Sequence, residues 1–249
     1  MNKALRLRAK AILQSGPQSL TSEQVAARNI SLRDFVRWAW PLLEPGTPLV
    51  WNWHIEAICM HVEALLLGTL GKQNLMILVP PGFMKSTIVD VCAAVWMWIK
   101  RPAWRAMLAS GNERVSTRDS LKRRHLIEGS AFRRVFSPQW KLAADSNQKT
   151  LFGNTARGFM QALSSGQRVT GDRADALFVD DPQDAATIHS EAEREAVARW
   201  YYEAFANRLS NMQTGTRCLI MQRLSSLDLA GLIQEREGSA WEVVTVPQE

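Results

Sequence analysis

The chain has 249 residues, 46% of them hydrophobic and 22% charged, enough for at least one well-buried core. Its formal charge is +6, and no apolar run approaches the ~20 residues of a membrane-spanning helix. The start, Met1 to Arg8, is basic but lacks the apolar stretch of a secretory signal, and Cys59, Cys92 and Cys218 are too scattered for a disulfide or zinc framework.

Taken in chain order, helices are expected over 2–14, over 21–28 with Thr21 as cap and Gln24 closing a capping box, and over 31–39 after Ser31. A connection rich in proline and aromatics follows, through Pro41, Pro45, Pro48 and Trp51-Asn52-Trp53. His54 to Leu67 has apolar residues at helical spacing and ends at Gly68. From Asn74 strands and helices alternate: strand 74–79, helix 86–99, strand 105–109, helix 113–128, then a hairpin of 149–152 and 158–163 around Gly153-Asn154. Strand 176–180, helix 190–209, strand 216–221, helix 227–236 and strand 241–246 complete the series. That alternation predicts an α/β fold with a mainly parallel central sheet covered by helices. Residues 1–70 are expected to form a helical region packed on a core of 71–249.

Two segments carry chemistry. An apolar run, Leu75 to Val79, enters Pro80-Pro81-Gly82-Phe83-Met84, and Lys85-Ser86-Thr87 then opens a helix. Such a loop can cradle phosphates on backbone N–H groups, with the lysine on the outer phosphates and the Ser86 hydroxyl on Mg²⁺. The glycines usual six and one positions before the lysine are replaced here by Val79 and Met84. Methionine fits there only if its φ stays negative, since positive φ costs a side chain roughly 1–2 kcal/mol. The second segment, Ala176 to Val179, is a buried-strand pattern ending in Asp180-Asp181-Pro182. Asp180 is positioned to hold the metal and Asp181 to orient or deprotonate an attacking water.

Basic residues are concentrated. Between Arg101 and Arg134 stand nine Lys/Arg against three Asp/Glu, an excess of six that equals the charge of the whole chain. Arg114, Arg118, Lys122 and His125 share a stripe of the expected helix 113–128, with Arg123 and Arg124 beside it; Arg133 and Arg134 read as loop residues. The stripe fits a sequence-blind grip on nucleic-acid phosphates, a solvent-facing surface or a subunit contact.

These motifs in this order resemble the ATPase domain of phage or prophage terminase large subunits. The resemblance runs from Trp38 to the end, through Trp51 to His54, Val79 to Thr87, Ala94 to Trp98, Ala109 to Asn112, Thr170 to Asp175, Val179 to Pro182, Ile220 to Arg223 and Asp228 to Gly231. It implies a P-loop NTPase of the ASCE type that uses ATP and Mg²⁺ to drive double-stranded DNA into procapsids. It further implies partnership with a portal protein and a small terminase subunit, a homo-oligomeric ring on the portal, and a host cytoplasm. The isolated domain is expected to be monomeric, since such rings assemble on the portal and DNA, and free of nuclease activity, because no second carboxylate cluster follows. By the same resemblance Trp53 and His54 lie near the adenine, Thr216 and Gln222 belong to a coupling or sensor segment, and the arginine finger is sought among Arg168, Arg173 and Arg223, with Arg173 favoured. Other nucleic-acid-dependent ATPases of helicase type, or a nucleotide-binding scaffold with little turnover, are the alternatives.

Overall fold

The computed structural model describes residues 26–169 and 171–247. The expected helix over 2–14 and the Thr21 cap lie outside them, while residues 26–28 are helical. Helix α1 spans Leu32–Leu43; the Ser31 side chain caps it by accepting from the Asp34 N–H at 3.2 Å. Helix α2, Trp53–Leu67, ends as the sequence predicts, at Gly68 with φ +75°.

Strand β1 (Asn74–Leu78) leads into a π-helical stretch, Thr87–Ala93, that continues as α3 (Ala94–Lys100). Next come β2 (Ala106–Ser110), α4 (Glu113–Glu128), α5 (Ser130–Phe136), β3 (Leu142–Asn147), β4 (Leu151–Asn154), β5 (Phe159–Ser164) and β6 (Ala176–Asp180). Helix α6 (Glu191–Arg199), β7 (Thr216–Met221), α7 (Leu229–Glu237) and β8 (Trp241–Thr245) follow.

Three expectations need correction, and one strand was not expected. The segment 190–209 is not one helix: α6 passes into a π-helical Trp200–Phe205 and a 3-10 turn, Ala206–Arg208. The wider turn lets Trp200 and Phe205, five residues apart, stack with ring centroids 4.9 Å apart. Arg133 and Arg134 sit on α5, not in a loop, because Phe132 and Phe136 bury themselves against Trp38. The hairpin reverses at residues 155–158, later than Gly153-Asn154. There the Asn154 side chain accepts from the Ala156 and Gly158 N–H groups and donates to the Pro102 carbonyl. Strand β3, polar and half-exposed, adds an antiparallel edge that the sequence pattern hides.

One eight-stranded sheet results, in the order β3-β4-β5-β2-β6-β7-β1-β8, parallel from β5 to β8. Alternating strand residues feed two cores. Ile77, Leu108, Phe178 and Ile220 join α1 to α5 on one face, together with Trp96 and Trp98. Met76, Met107, Leu177 and Leu219 meet Trp200, Phe205, Ile233 and Trp241 on the other. Helices α1 and α2 therefore belong to the same apolar layer as α3. Parallel pairing brings the carboxyl ends of β5, β2, β6, β7 and β1 to a single edge, where ligands bind in sheets of this kind.

Candidate nucleotide site

The row of strand ends is held in register: Ser164 lies opposite Ser110, Ser110 opposite Asp180, Asp180 opposite Ile220 and Met221 opposite Leu78. Pairing continues into the loop roots. The Val79, Asp181 and Ser165 N–H groups donate to the carbonyls of Met221, Ile220 and Ser110.

The loop after β1 turns at Gly82, φ +83°, and again at Met84, φ +60°. Met84 is thus in the left-handed region that the sequence reading required it to avoid, at a cost of about 1–2 kcal/mol. Its carbonyl starts the helix by accepting from the Ile88 N–H at 3.0 Å. Lys85 is buried, and its Nζ lies 2.5 Å from Asp181 Oδ2. The other Asp181 oxygen accepts from the Gln222 N–H at 3.0 Å. Asp181 has φ +39°, tolerable for aspartate, and its carbonyl fills the space a Cβ on residue 111 would need, which only Gly111 leaves open.

Asp180 is 2% exposed, and its Oδ1 has no hydrogen-bond partner among the described residues. Burial, then the neighbouring Asp181 charge, raises its pKa to about 7, against the pull of the Ser86 hydroxyl and the Lys85 ammonium. A buried carboxylate oxygen lacking a partner beside a serine hydroxyl fits an oxygen-liganded Mg²⁺.

Three buried acids meet here where the sequence reading saw two in tandem. Asp90, from the π-helical stretch, and Asp119, from α4, bring carboxylates within 4.8 Å of that of Asp180. Burial, then Asp180 and Asp119, drives the Asp90 pKa well up. The available signal was Asp90 itself, a lone acid in the apolar run Ile88 to Val95.

Arg123 belongs to this cluster. It is 1% exposed and its Nη1 donates to the Asp90 carbonyl, so the expectation that it grips DNA is withdrawn. Arg124 is three-quarters or more covered and paired with Glu128 at 3.1 Å, which removes it from an open basic surface as well. Arg114, Arg118, Lys122 and His125 do share one face, lining an open hollow of about 710 Å³ on α4. Lys122 there is paired with Glu44 at 2.6 Å.

Of the three finger candidates, Arg173 precedes β6 and donates to the Leu209 carbonyl, at the opposite edge of the sheet from Asp180. It does not face the loop after β1. Thr216, the first residue of β7, lies at that opposite edge too, whereas Gln222 follows the strand's carboxyl end. Arg223 is bound to Asp228, Gln234 and the Ser225 carbonyl. Arg168 is exposed just beyond the carboxyl end of β5, without hydrogen bond or ion pair to a described residue. His54 packs against Phe83 of the loop with ring centroids 4.6 Å apart, and Trp53, half-exposed, stands next to it.

No protein-family model matches the sequence, and no curated protein is significantly similar to it. Solved structures do match. The large terminase of bacteriophage HK97 aligns over 88% of this chain with a TM-score of 0.55 and 12% identity; this chain spans 45% of that protein's length. A substituted ATPase domain of the Thermus phage P74-26 large terminase aligns over 83% of this chain and 84% of its own, with a TM-score of 0.53 and 13% identity. The fold is that of the P-loop ATPase domains of phage large terminases.

Proposed function

We propose that this chain is the motor part of a terminase large subunit, hydrolysing ATP to move double-stranded viral DNA into procapsids. The observation that carries the reading is the meeting of Lys85, Ser86, Asp180 and Asp181, distant in sequence, on one sheet edge. Residues 71–249 form the ATPase core in this reading, with 1–70 as a helical region packed on it.

Pro80 to Thr87 wrap the phosphates, and Lys85 exchanges Asp181 for the β- and γ-phosphate oxygens. Asp181, left-handed and anchored by the Gln222 N–H, then has an oxygen available to orient or deprotonate the attacking water. Ser86 and Asp180 hold Mg²⁺, which when bound neutralises phosphate charge. Trp53, His54 and Phe83 offer aromatic surface to the adenine. Gln222, at the exit of β7, relays the state of the phosphates through the amide it gives Asp181. Exposed and unpaired on the catalytic edge, Arg168 is the best placed of the three finger candidates to act on a neighbouring subunit's nucleotide.

The α4 face, through Arg114, Lys122 and His125, grips the DNA backbone without reading bases. Portal protein, small terminase subunit and ring neighbours are the partners, in the host cytoplasm; among the described residues no helix is long and apolar enough to cross a membrane. We assign no nuclease activity to this chain.

The test is ATP turnover in wild type, Lys85→Ala and Asp180→Ala, with and without duplex DNA. Loss of about 100-fold or more in both variants is expected. Wild-type turnover in either variant rejects the site. A chain that binds nucleotide without turning it over supports the scaffold reading.

A further inference from the structure

Phosphoryl transfer piles negative charge on the γ-phosphate, and a lysine alone is a point charge where a planar guanidinium fork is the better match. Within one chain, Arg173 lies at the opposite edge of the sheet, Arg223 is taken up by Asp228, Gln234 and the Ser225 carbonyl, and Arg123 by the Asp90 carbonyl. Arg118 differs. It sits in the second turn of α4, whose cap Asn112 lies just past the end of β2, the neighbour of β6.

Its guanidinium is gripped on one side only. Nε donates to Asp119 Oδ1 at 2.8 Å and Nη2 to Asp119 Oδ2 at 3.0 Å. The Nη1 corner has no partner among the described residues, and the side chain is 54% exposed. Asp119 is itself 3% exposed and lies within 4.8 Å of the Asp180 carboxylate. Adjacent residues on a helix point about 100° apart. Asp119 accordingly reaches inward to the acid cluster while Arg118 folds back over it from outside. The charges of Asp180 and Asp90 also act on Arg118, behind the direct bond to Asp119.

We propose that Arg118 is this chain's own γ-phosphate arginine, and that Asp119 is the residue that positions it. The assignment rests on the hydrolysis reading and adds to it a cis-acting arginine, which the segment Pro80 to Met84 lacks. It also takes Arg118 out of the DNA-gripping stripe.

Four variants of the full chain test it: Lys85→Ala, Arg118→Ala, Arg118→Lys and Asp119→Asn. Turnover is measured beside equilibrium binding of fluorescent ADP, a fluorescent non-hydrolysable ATP analogue and duplex DNA. Arg118→Ala is expected to lower kcat by about 100-fold and to weaken the ATP analogue about tenfold, with ADP affinity within about twofold of wild type. Unchanged ADP affinity also shows that the variant is folded. Arg118→Lys restores turnover only in part, millimolar guanidinium ion restores some to Arg118→Ala, and Asp119→Asn lowers kcat about tenfold at unchanged KM. Wild-type kcat in Arg118→Ala, while Lys85→Ala is inactive, overturns the Arg118 assignment and leaves the hydrolysis reading standing. Loss of DNA affinity at unchanged kcat overturns it as well, in favour of the stripe. Activity in Lys85→Ala removes the hydrolysis reading itself.

Discussion

Lys85 Nζ and Asp181 Oδ2 lie 2.5 Å apart, so the cation of the phosphate loop and the carboxylate assigned to the water are each other's partner. In the proposed function ATP competes with Asp181 for Lys85. Asp181→Asn is therefore expected to bind an ATP analogue several-fold more tightly while losing turnover by about 100-fold. Isothermal titration beside a turnover assay reads both. Weaker binding in the variant contradicts the competition.

The raised Asp180 pKa sets a pH dependence. The folded chain binds this proton more tightly than the unfolded chain, so the contribution is fully present below about pH 4. It is lost as pH rises through about 7, by on the order of 4 kcal/mol, and Asp90 acts in the same direction. Asp180→Asn cannot ionise. Its Tm is expected to exceed that of wild type at about pH 8 and to converge with it near pH 4. Parallel melting curves across that range refute the assignment of the slope to Asp180.

Met84 holds a φ that disfavours side chains branched at Cβ most of all. Met84→Ile should destabilise the chain by about 1–2 kcal/mol in denaturant titration. Met84→Gly, which relieves the strain but gives up half-buried apolar surface, should stay within about 1 kcal/mol of wild type. Equal effects of the two would place the cost in lost packing, not in the backbone.

At Gly111 an added methyl meets the Asp181 carbonyl directly, and carbonyls of a paired strand end do not yield cheaply. Gly111→Ala is expected to lose about 1–3 kcal/mol of stability and at least tenfold in kcat. Calorimetry and steady-state turnover decide it.

Arg123 and Arg114, both on α4, should part company. Arg123→Ala takes the donor from the buried Asp90 carbonyl and is expected to cost roughly 1–3 kcal/mol in urea unfolding. Arg114→Ala, exposed, should leave stability within about 0.5 kcal/mol and reduce the salt slope of DNA binding by about one. A stability loss at Arg114 comparable to that at Arg123 contradicts their placement.

Regular elements were legible where local chemistry and tertiary packing agreed. The all-apolar run ending at Asp180 became β6, the Asn112-capped segment became α4, and Gly68 stopped α2. That the segment Pro80 to Thr87 and the tandem acids Asp180-Asp181 meet was an expectation from residue type, and Lys85 does lie against Asp181. What escaped depended on partners remote in sequence. Helical spacing placed Arg123 beside a surface stripe, yet Asp90, from the element after β1, draws it inward. Arg173 stands a few residues before Asp180, but an extended strand separates the ends of such a segment, so nearness in sequence became opposite edges of a sheet. The π-helical turn Trp200–Phe205 goes with the stacking of its two end rings, to which a 3.6-residue period is blind.

The amides of Val79, Asp181 and Ser165 carry the ladder past the last strand residues, which fastens the bases of the loops after β1, β6 and β5 to their neighbours. Those bases form a rail. A movement started at this edge then has no strand to slide; in the motor proposed above it would leave the domain through side chains and the helices they contact, so the lever is to be sought on the outside of the sheet.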